Sequence, residues 1–136
     1  MSETFTVDVP VRFRDLDPLD HVHHSVHASY IESARLAYAA EVLGLEHDEL
    51  PFVVANLEIS YERPITLDDD LQVAVWITDL GETSCTIAYE LLVDGETVAT
   101  AETAMVYVDP ETKRPTAVPD GLREQIRAHE DLDSTA

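Results

Sequence analysis

Basic residues and cysteine are what this chain has least of for its size. Its 136 residues contain 28 Asp and Glu but only 8 Lys and Arg, so the formal net charge is −20. Binding to nucleic acid or to an anionic membrane surface relies on clustered Lys and Arg. The composition therefore excludes nucleic acid and membrane surfaces as expected partners.

The single cysteine, Cys85, cannot form a disulfide within the chain, which favours a reducing compartment. No apolar run approaches the ~20 residues of a transmembrane helix. The first residues also lack the basic and apolar regions of a secretory signal. We therefore expect a cytoplasmic protein.

The rest of the composition is typical of a folded domain. Hydrophobic residues make up 45% of the chain, and a chain of this length can bury a core without disulfides or a structural metal. We expect one domain over residues 1–136, with residues 130–136 frayed. The acidic residues are spread over the whole chain, which favours a surface adapted to high salt, and hence a salt-loving source, over a docking face for one basic partner.

Hydrophobic periodicity predicts one long helix among β-strands. Apolar residues recur at helical spacing between Ser25, a potential N-cap, and Leu43, and Gly44 follows where a helix-ending glycine belongs. Alternating apolar residues predict strands at residues 4–13, 57–61, 71–77, 87–93 and 99–107. Asp94-Gly95 predicts a tight hairpin between the last two strands.

The order of elements is therefore strand, long helix, four strands, and a short helix that begins at Pro119-Asp120 with Leu122 and Ile126 as apolar contacts. One helix cannot bury its apolar face alone, whereas a curved antiparallel sheet of about five strands can wrap it. The predicted class is α+β, with a central helix wrapped by one sheet. The edge strands of such a sheet invite pairing with a second copy of the chain.

The chemically informative segment is residues 11–35, VRFRDLDPLDHVHHSVHASYIESAR. It concentrates aspartates and histidines immediately before and into the start of the predicted helix. Backbone N–H groups are unpaired at a helix N-terminus and the dipole is positive there, so a developing oxyanion is stabilised. A carboxylate a few residues upstream can act as a base or as a nucleophile.

This segment resembles the opening motif of the hotdog-fold acyl-CoA thioesterases of the 4-hydroxybenzoyl-CoA thioesterase family. The matching parts are Asp15-Leu16-Asp17, His21-Val22-His23-His24, Tyr30 and Glu32-Ser33-Ala34-Arg35. The resemblance implies a hotdog fold, hydrolysis of acyl-CoA thioesters, assembly as a homodimer or homotetramer, and no cofactor.

By this resemblance Asp17 falls on the catalytic carboxylate and His21 on the motif histidine. His24 falls where a backbone N–H at the helix start holds the thioester oxygen, and where some members add a histidine side chain. The chain departs from the motif at Asp20, where glycine is usual, and at His23 and His24, which replace paired asparagines. Asp tolerates left-handed backbone, so the turn at Asp20 can survive.

The substrate would lie along the central helix. We expect the acyl group near Tyr30 and Tyr38, with the nucleotide of CoA at the surface. The candidate cations for its phosphates are Arg63, Lys113 and Arg114.

For the other aspartate and histidines of this segment we expect roles outside catalysis. Asp15 is expected to be a structural partner of Arg14 or Arg35, and His23 and His27 to be surface or interface residues. Histidines at i and i+4 could also hold a metal together with a carboxylate. The thioesterases resembled here use no metal, so we expect none.

Two alternatives come from other functional classes. One is a non-catalytic acyl-CoA binding module, against which Asp17 argues. The other is a hotdog hydratase or dehydratase acting on acyl thioesters. The pairs Asp17 with His21 and Asp17 with His24 do not clearly match the acid/base pairing of such enzymes.

The charge generates a first prediction, on stability in salt. At about 1 M salt the Debye length is ~3 Å, so repulsion within the acidic surface is screened. We expect the melting temperature to rise steeply between dilute buffer and molar KCl, as measured by calorimetry. Equal stability in dilute buffer would contradict a salt-adapted surface and point to a specific basic partner instead.

Overall fold

The computed structural model of the protein describes residues 4–45 and 52–130. Most of the predicted frayed segment, residues 131–136, lies outside these ranges. The elements in chain order are β1 (Phe5–Val9), α1 (Val26–Glu41), β2 (Phe52–Tyr61), β3 (Leu71–Leu80), β4 (Ser84–Val93), β5 (Glu96–Tyr107) and α2 (Asp120–Glu130).

The five strands form one antiparallel sheet in the order β1-β3-β4-β5-β2. The predicted α+β class is confirmed, and the last three strands form an antiparallel meander. The hairpin between β4 and β5 is confirmed too: Asp94 and Gly95 have φ of 54° and 81°. Two consecutive positive φ angles are typical of the tight turn whose twist matches that of the flanking strands.

Helix α1 lies across the inner face of the sheet, where it packs against β1 and β3. Its buried stripe includes Tyr30, Ile31, Ala34 and Tyr38. The helix ends as the sequence predicts, because Gly44 adopts a φ of 68° and reverses the chain. The Leu45 N–H then donates to the carbonyl of Ala39 at 3.0 Å.

The start of α1 differs from the expectation. Ser25 directly precedes the helix, but its hydroxyl caps no N–H of the described chain. It lies 2.8 Å from the Nδ1 atom of His23, and this same nitrogen accepts the Ser25 backbone N–H at 3.1 Å. A histidine side chain thus takes the place of the predicted serine cap.

Strand β1 is shorter than the alternation of its residues predicts. It ends at Val9, because Pro10 has no N–H to donate to the ladder with β3. The chain then forms a 3₁₀ turn at Phe13–Asp15. Phe13 is 78% exposed and does not join the buried face of the strand.

Helix α2 fastens the end of the described chain over β3 and the second half of α1. The predicted contacts Leu122 and Ile126 are both buried. The Glu130 carboxylate accepts the Tyr38 hydroxyl and, at 2.9 Å, the Ile77 N–H of β3. The helix is therefore attached by polar contacts as well as by its apolar stripe.

Strand β2 is an edge strand whose inner face is left uncovered. Val54, Leu57 and Tyr61 pair with Met105, Thr103 and Ala99, which are buried under the helix layer. Directly opposed residues share a face of the sheet, so these three β2 side chains also point inward. They are nevertheless 47%, 40% and 49% exposed, because α1 lies over the other half of the sheet.

A second prediction concerns the packing of α2. Ile126 is fully buried, so Ile126→Ala should lower the free energy of unfolding by about 2–5 kcal/mol through lost burial and the cavity left behind. Glu124→Ala, an exposed change on the same helix, should shift it by less than about 0.5 kcal/mol. Urea unfolding measures both, and equal effects of the two changes would contradict docking of α2.

Candidate active site

Asp17 is held in a tight turn by its own backbone neighbours. Its Oδ1 atom accepts the N–H groups of Leu19 at 2.9 Å and His21 at 3.2 Å, and its own N–H donates to the His21 carbonyl at 2.7 Å. Its Oδ2 atom accepts no hydrogen bond from the described residues. One oxygen of the carboxylate is thus fixed and the other is available.

The environment of Asp17 favours its ionised form. Partial desolvation acts to raise its pKa, but the N–H donors of Leu19 and His21, with the nearby charges of His21 and His23, lower the pKa below the ordinary value of 3.8. Asp17 is therefore a carboxylate at neutral pH, as a base or nucleophile must be.

The turn that holds Asp17 needs a left-handed residue, and Asp20 supplies it. Asp20 has a φ of 64°, and its N–H donates to the Asp17 carbonyl at 3.0 Å. The chain then pairs back on itself through a bridge between Leu16 and Val22. The expectation that aspartate can replace glycine in this turn is confirmed.

The turn leads directly into the N-terminus of α1. The Val26 N–H donates to the His23 carbonyl at 2.9 Å, whereas the His24 N–H donates to no acceptor within residues 4–45 and 52–130. The imidazole rings of His23 and His24 are exposed and stack with centroids 4.4 Å apart. The site therefore brings together an ionised carboxylate and a helix start with an unpaired N–H donor.

Tyr61, at the end of β2, closes one side of this helix start. Its hydroxyl donates to the His24 carbonyl at 2.9 Å, and its ring meets the His27 imidazole edge to face at 4.8 Å. The sequence reasoning missed Tyr61. Its position at the end of an alternating strand was visible, but its contact with α1 depends on the register of β2 against β5.

His27 is not a surface residue, contrary to the expectation, since it is only 3% exposed. Burial is the largest influence on its ring and lowers its pKa below the ordinary value of 6.5, although hydrogen bonding to the His23 and His24 backbone acts in the opposite direction. A neutral imidazole is therefore favoured at this position.

Asp15 is a structural residue, as expected, but with different partners. Its Oδ2 accepts the Arg12 backbone N–H at 3.0 Å and the Tyr30 hydroxyl at 2.7 Å, rather than pairing with Arg14 or Arg35. Burial and this bond raise the pKa of Tyr30. Tyr30 thus fixes the loop before Asp17 to the helix, and it lines a cleft on the β1 side of α1.

Tyr38 lies elsewhere, in the wall of an apolar cavity of about 250 Å³ between α1, the sheet and α2. The cavity wall also includes Cys85, and burial raises the pKa of its thiol to about 12. Both groups are therefore uncharged at neutral pH. The structure does not bring the two predicted acyl contacts together, since Tyr30 and Tyr38 line separate cavities.

The three candidate cations also lie apart. The Arg63 N–H donates to the carbonyl of Val98, near the start of β5, and its guanidinium lies 3.3 Å from the Glu96 carboxylate. Lys113 and Arg114 follow the other end of β5. Along the strand the two ends of β5 are roughly 36 Å apart, so one phosphate group of one ligand cannot contact all three within a single chain.

Comparison of the whole chain with known proteins identifies its family and its relatives. The profile of the Thioesterase-like superfamily matches residues 11–126. Long-chain acyl-CoA thioesterase FadM of Escherichia coli (strain K12) is 28% identical over 123 residues, which span 87% of this chain and 93% of FadM. The 1,4-dihydroxy-2-naphthoyl-CoA hydrolase of Synechococcus elongatus is 29% identical over 126 residues, or 86% of this chain and 90% of the hydrolase.

A solved structure is similar over nearly the whole chain. A thioesterase from Thermus thermophilus, complexed with coenzyme A and Zn, has a TM-score of 0.85 and 39% sequence identity, covering 94% of this chain and 95% of its own. The superfamily match and this similarity together show that the chain belongs to the thioesterase-like superfamily. Its five-stranded sheet and central helix are the hotdog fold.

The zinc of the Thermus complex raises the question whether this site could hold a metal. Zinc in proteins takes three or four converging His, Cys or carboxylate ligands. No group of three such side chains converges in the described parts of the chain. His27 is buried against Tyr61, and its ring forms no hydrogen bond with a carboxylate of the described residues. Residues 4–45 and 52–130 therefore do not supply the ligand set of a zinc site.

A separate observation concerns membranes: neither helix within residues 4–45 and 52–130 has the length and hydropathy of a transmembrane span.

A third prediction follows from the lowered pKa of buried His27. The folded state binds the His27 proton less readily than the unfolded state, so this residue should reduce stability as pH falls through the ordinary histidine range near 6.5. Between pH 7.5 and 5.5 the melting temperature of His27→Gln should fall less than that of the wild type. His129→Gln, on the C-terminal helix, serves as the control, and an unchanged pH dependence in His27→Gln would contradict a buried neutral His27.

Proposed function

We propose that this protein hydrolyses acyl-CoA thioesters at the junction of the Asp17 turn and the start of α1. The observation that carries the proposal is the pairing of a fixed, ionised Asp17 with the unpaired N–H of His24. The relatives from Escherichia coli and Thermus, which are named thioesterases, and the acyl-CoA hydrolase from Synechococcus support the same reaction.

In this proposal the thioester carbonyl lies against the N-terminus of α1. Its oxygen accepts the His24 N–H, and the positive end of the helix dipole favours the negative charge that develops there. The exposed imidazole of His24 lies at the same end of the helix. His21 contributes through its backbone, whose N–H and carbonyl hold Asp17 in place.

Asp17 drives the reaction by one of two routes. It attacks the carbonyl carbon to form a mixed anhydride that water then cleaves, or it takes a proton from a water that attacks directly. In both routes a C–O bond forms, the C–S bond breaks, and the sulfur leaves as a thiolate that is later protonated. Because thiols have a pKa of about 8.5, the leaving group needs no strong general acid.

The closer relationship to 4-hydroxybenzoyl-CoA thioesterases is part of the proposal, supported by the motif from Asp15 to Arg35. The nucleotide of CoA would lie at the surface, with Arg63, two residues beyond Tyr61, as the candidate cation at the same end of β2 as the proposed reaction centre. Lys113 and Arg114 would contact phosphates of a substrate bound to another copy of the chain. The two routes by which Asp17 would act require no metal or other cofactor.

We expect the protein to act as a homo-oligomer that pairs through β2. This strand lies at an edge of the sheet, and it exposes Val53, Val54, Leu57 and Tyr61. An exposed apolar edge strand is a template for a second strand. Antiparallel pairing of two β2 strands would use the free backbone edge of β2, leave its inner face available to the substrate, and place the two Asp17 sites beside the shared interface.

A fourth prediction tests the role of Asp17. Asp17→Asn keeps the oxygen that accepts the Leu19 and His21 N–H groups but removes the charge, so the fold should persist while kcat for acyl-CoA hydrolysis falls by ~10²-fold or more. Release of free thiol from a panel of saturated and unsaturated acyl-CoAs measures the loss.

Two matched variants serve as controls for Asp17→Asn. Asp20→Asn is tolerated in a left-handed turn and should retain activity, whereas Asp15→Asn should affect stability more than turnover, because Asp15 accepts the Tyr30 hydroxyl. Near-wild-type hydrolysis by Asp17→Asn would disprove the mechanism. Hydration of the unsaturated substrates without thiol release would identify a hydratase, and binding without either reaction a binding module.

A further inference from the structure

The apolar cavity beside Tyr38 and the proposed reaction centre lie on the same side of α1, where the helix faces β2. Strand β2 runs alongside α1, with Tyr61 contacting His24 at the start of the helix and Val54 lining the cavity towards its other end. Between these two points the inward-facing apolar side chains of β2 are Leu57, which is exposed, and Ile59, which is half-buried. The groove between α1 and β2 therefore has an apolar floor along its length.

The residues that line the cavity are exposed on the side of this groove and buried on the other side. Glu32 and Val54, which are both exposed, line its mouth. Leu43, Cys85 and Ile126, which are buried, line its deep end. A flexible apolar group that enters from the groove would thus meet an uncharged, closed pocket.

From this geometry we infer that the protein selects long aliphatic acyl chains, whose tails fill the cavity at the far end of α1. The inference rests on the proposed thioesterase function and specifies its substrate class.

The dimensions set the chain length. Glu32 lies about 9 Å along the helix axis from Val26, at the start of α1. An extended chain advances ~1.2 Å per bond, so the first seven or eight carbons only reach the mouth of the cavity. An apolar cavity of about 150 Å³ holds benzene, and at the same volume per carbon 250 Å³ holds on the order of ten carbons. Chains of about twelve to eighteen carbons should therefore use the cavity, and chains of eight or fewer should not.

The polar groups at the mouth are consistent with an aliphatic tail. Arg35 lies 3.9 Å from Glu32 and donates to the Tyr89 hydroxyl at 3.3 Å. The Tyr89 hydroxyl in turn lies 2.8 Å from that of Thr103. The Arg35 guanidinium is thus engaged with an acid and a phenol at the rim, and the deeper wall is left to apolar side chains.

A fifth prediction follows for chain length. kcat/KM measured below the micelle concentration with acyl-CoAs of four to eighteen carbons should change little up to about eight carbons. It should then rise by roughly two- to fourfold for each further carbon buried until the cavity is full. A flat profile, a maximum at eight carbons or fewer, or fastest hydrolysis of an aromatic acyl-CoA would overturn the inference while leaving the thioesterase proposal intact.

A pair of helix variants tests the cavity directly. Ala39 is buried and lines the cavity, whereas its neighbour Ala40 is exposed. Ala39→Leu adds three carbons to the wall, so the preferred acyl chain should shorten by about three carbons and the ratio of sixteen-carbon to six-carbon kcat/KM should fall at least tenfold. Ala40→Leu, the same change in helix propensity, should leave that ratio unaltered. Equal ratios in both variants would overturn the inference.

Binding of acyl-CoA analogues to the wild-type protein provides a test that depends neither on the folding of a variant nor on catalysis. S-hexadecyl-CoA and S-butyl-CoA are thioethers that cannot be hydrolysed. The longer compound should raise the melting temperature more, at equal concentration, and equal shifts would overturn the proposed tail site. If no acyl-CoA is hydrolysed, the thioesterase proposal fails, and the thioether comparison still decides whether the cavity binds an acyl chain.

Discussion

The packing of α1 against one half of the sheet determines most of what is functional in this molecule. The helix buries its apolar stripe on β1 and β3, and this burial fixes the position of its N-terminus beside the Asp17 turn. Because the helix lies over that half, the inner face of β2 stays open. The same contact therefore orients the proposed reaction centre and leaves the inner face of β2 beside the helix uncovered.

The Asp17 turn depends on backbone geometry more than on side-chain partners. Asp17 accepts two N–H groups from its own loop, and Asp20 supplies the left-handed residue that closes the turn. Asp15 and Tyr30 then fix this loop to the helix. A carboxylate held in this way is oriented before a substrate arrives, and its charge is maintained by the N–H donors that hold it.

Local signals explain which parts of the structure could be predicted from the sequence. Gly44 and the Asp94-Gly95 pair specify backbone conformations that few other residues adopt, so the helix end and the hairpin were predicted correctly. Pro10 is also a local signal. Because proline has no backbone N–H to donate to the neighbouring strand, β1 ends at the preceding residue, Val9. The catalytic candidate Asp17 could be found because its neighbours in sequence are also its neighbours in space.

The features that could not be predicted depend on contacts between distant segments. Tyr61 reaches His24 and His27 only because β2 pairs with β5 in one register and α1 lies beside it. His27 is buried for the same reason, although its sequence context is polar. The cavity is formed by α1, the sheet and α2 together, and no single segment of the sequence contains a signal for it.

The position of Lys113 has a practical consequence for studying this protein in solution. It is the chain's single lysine, and it follows the end of β5 opposite to the end that pairs with Tyr61. A fluorophore attached to its side-chain amine would report from one defined point of each chain. Energy transfer between two labelled copies would therefore measure assembly of the chain, and a change of the signal on adding coenzyme A would report on contact between Lys113 and the nucleotide.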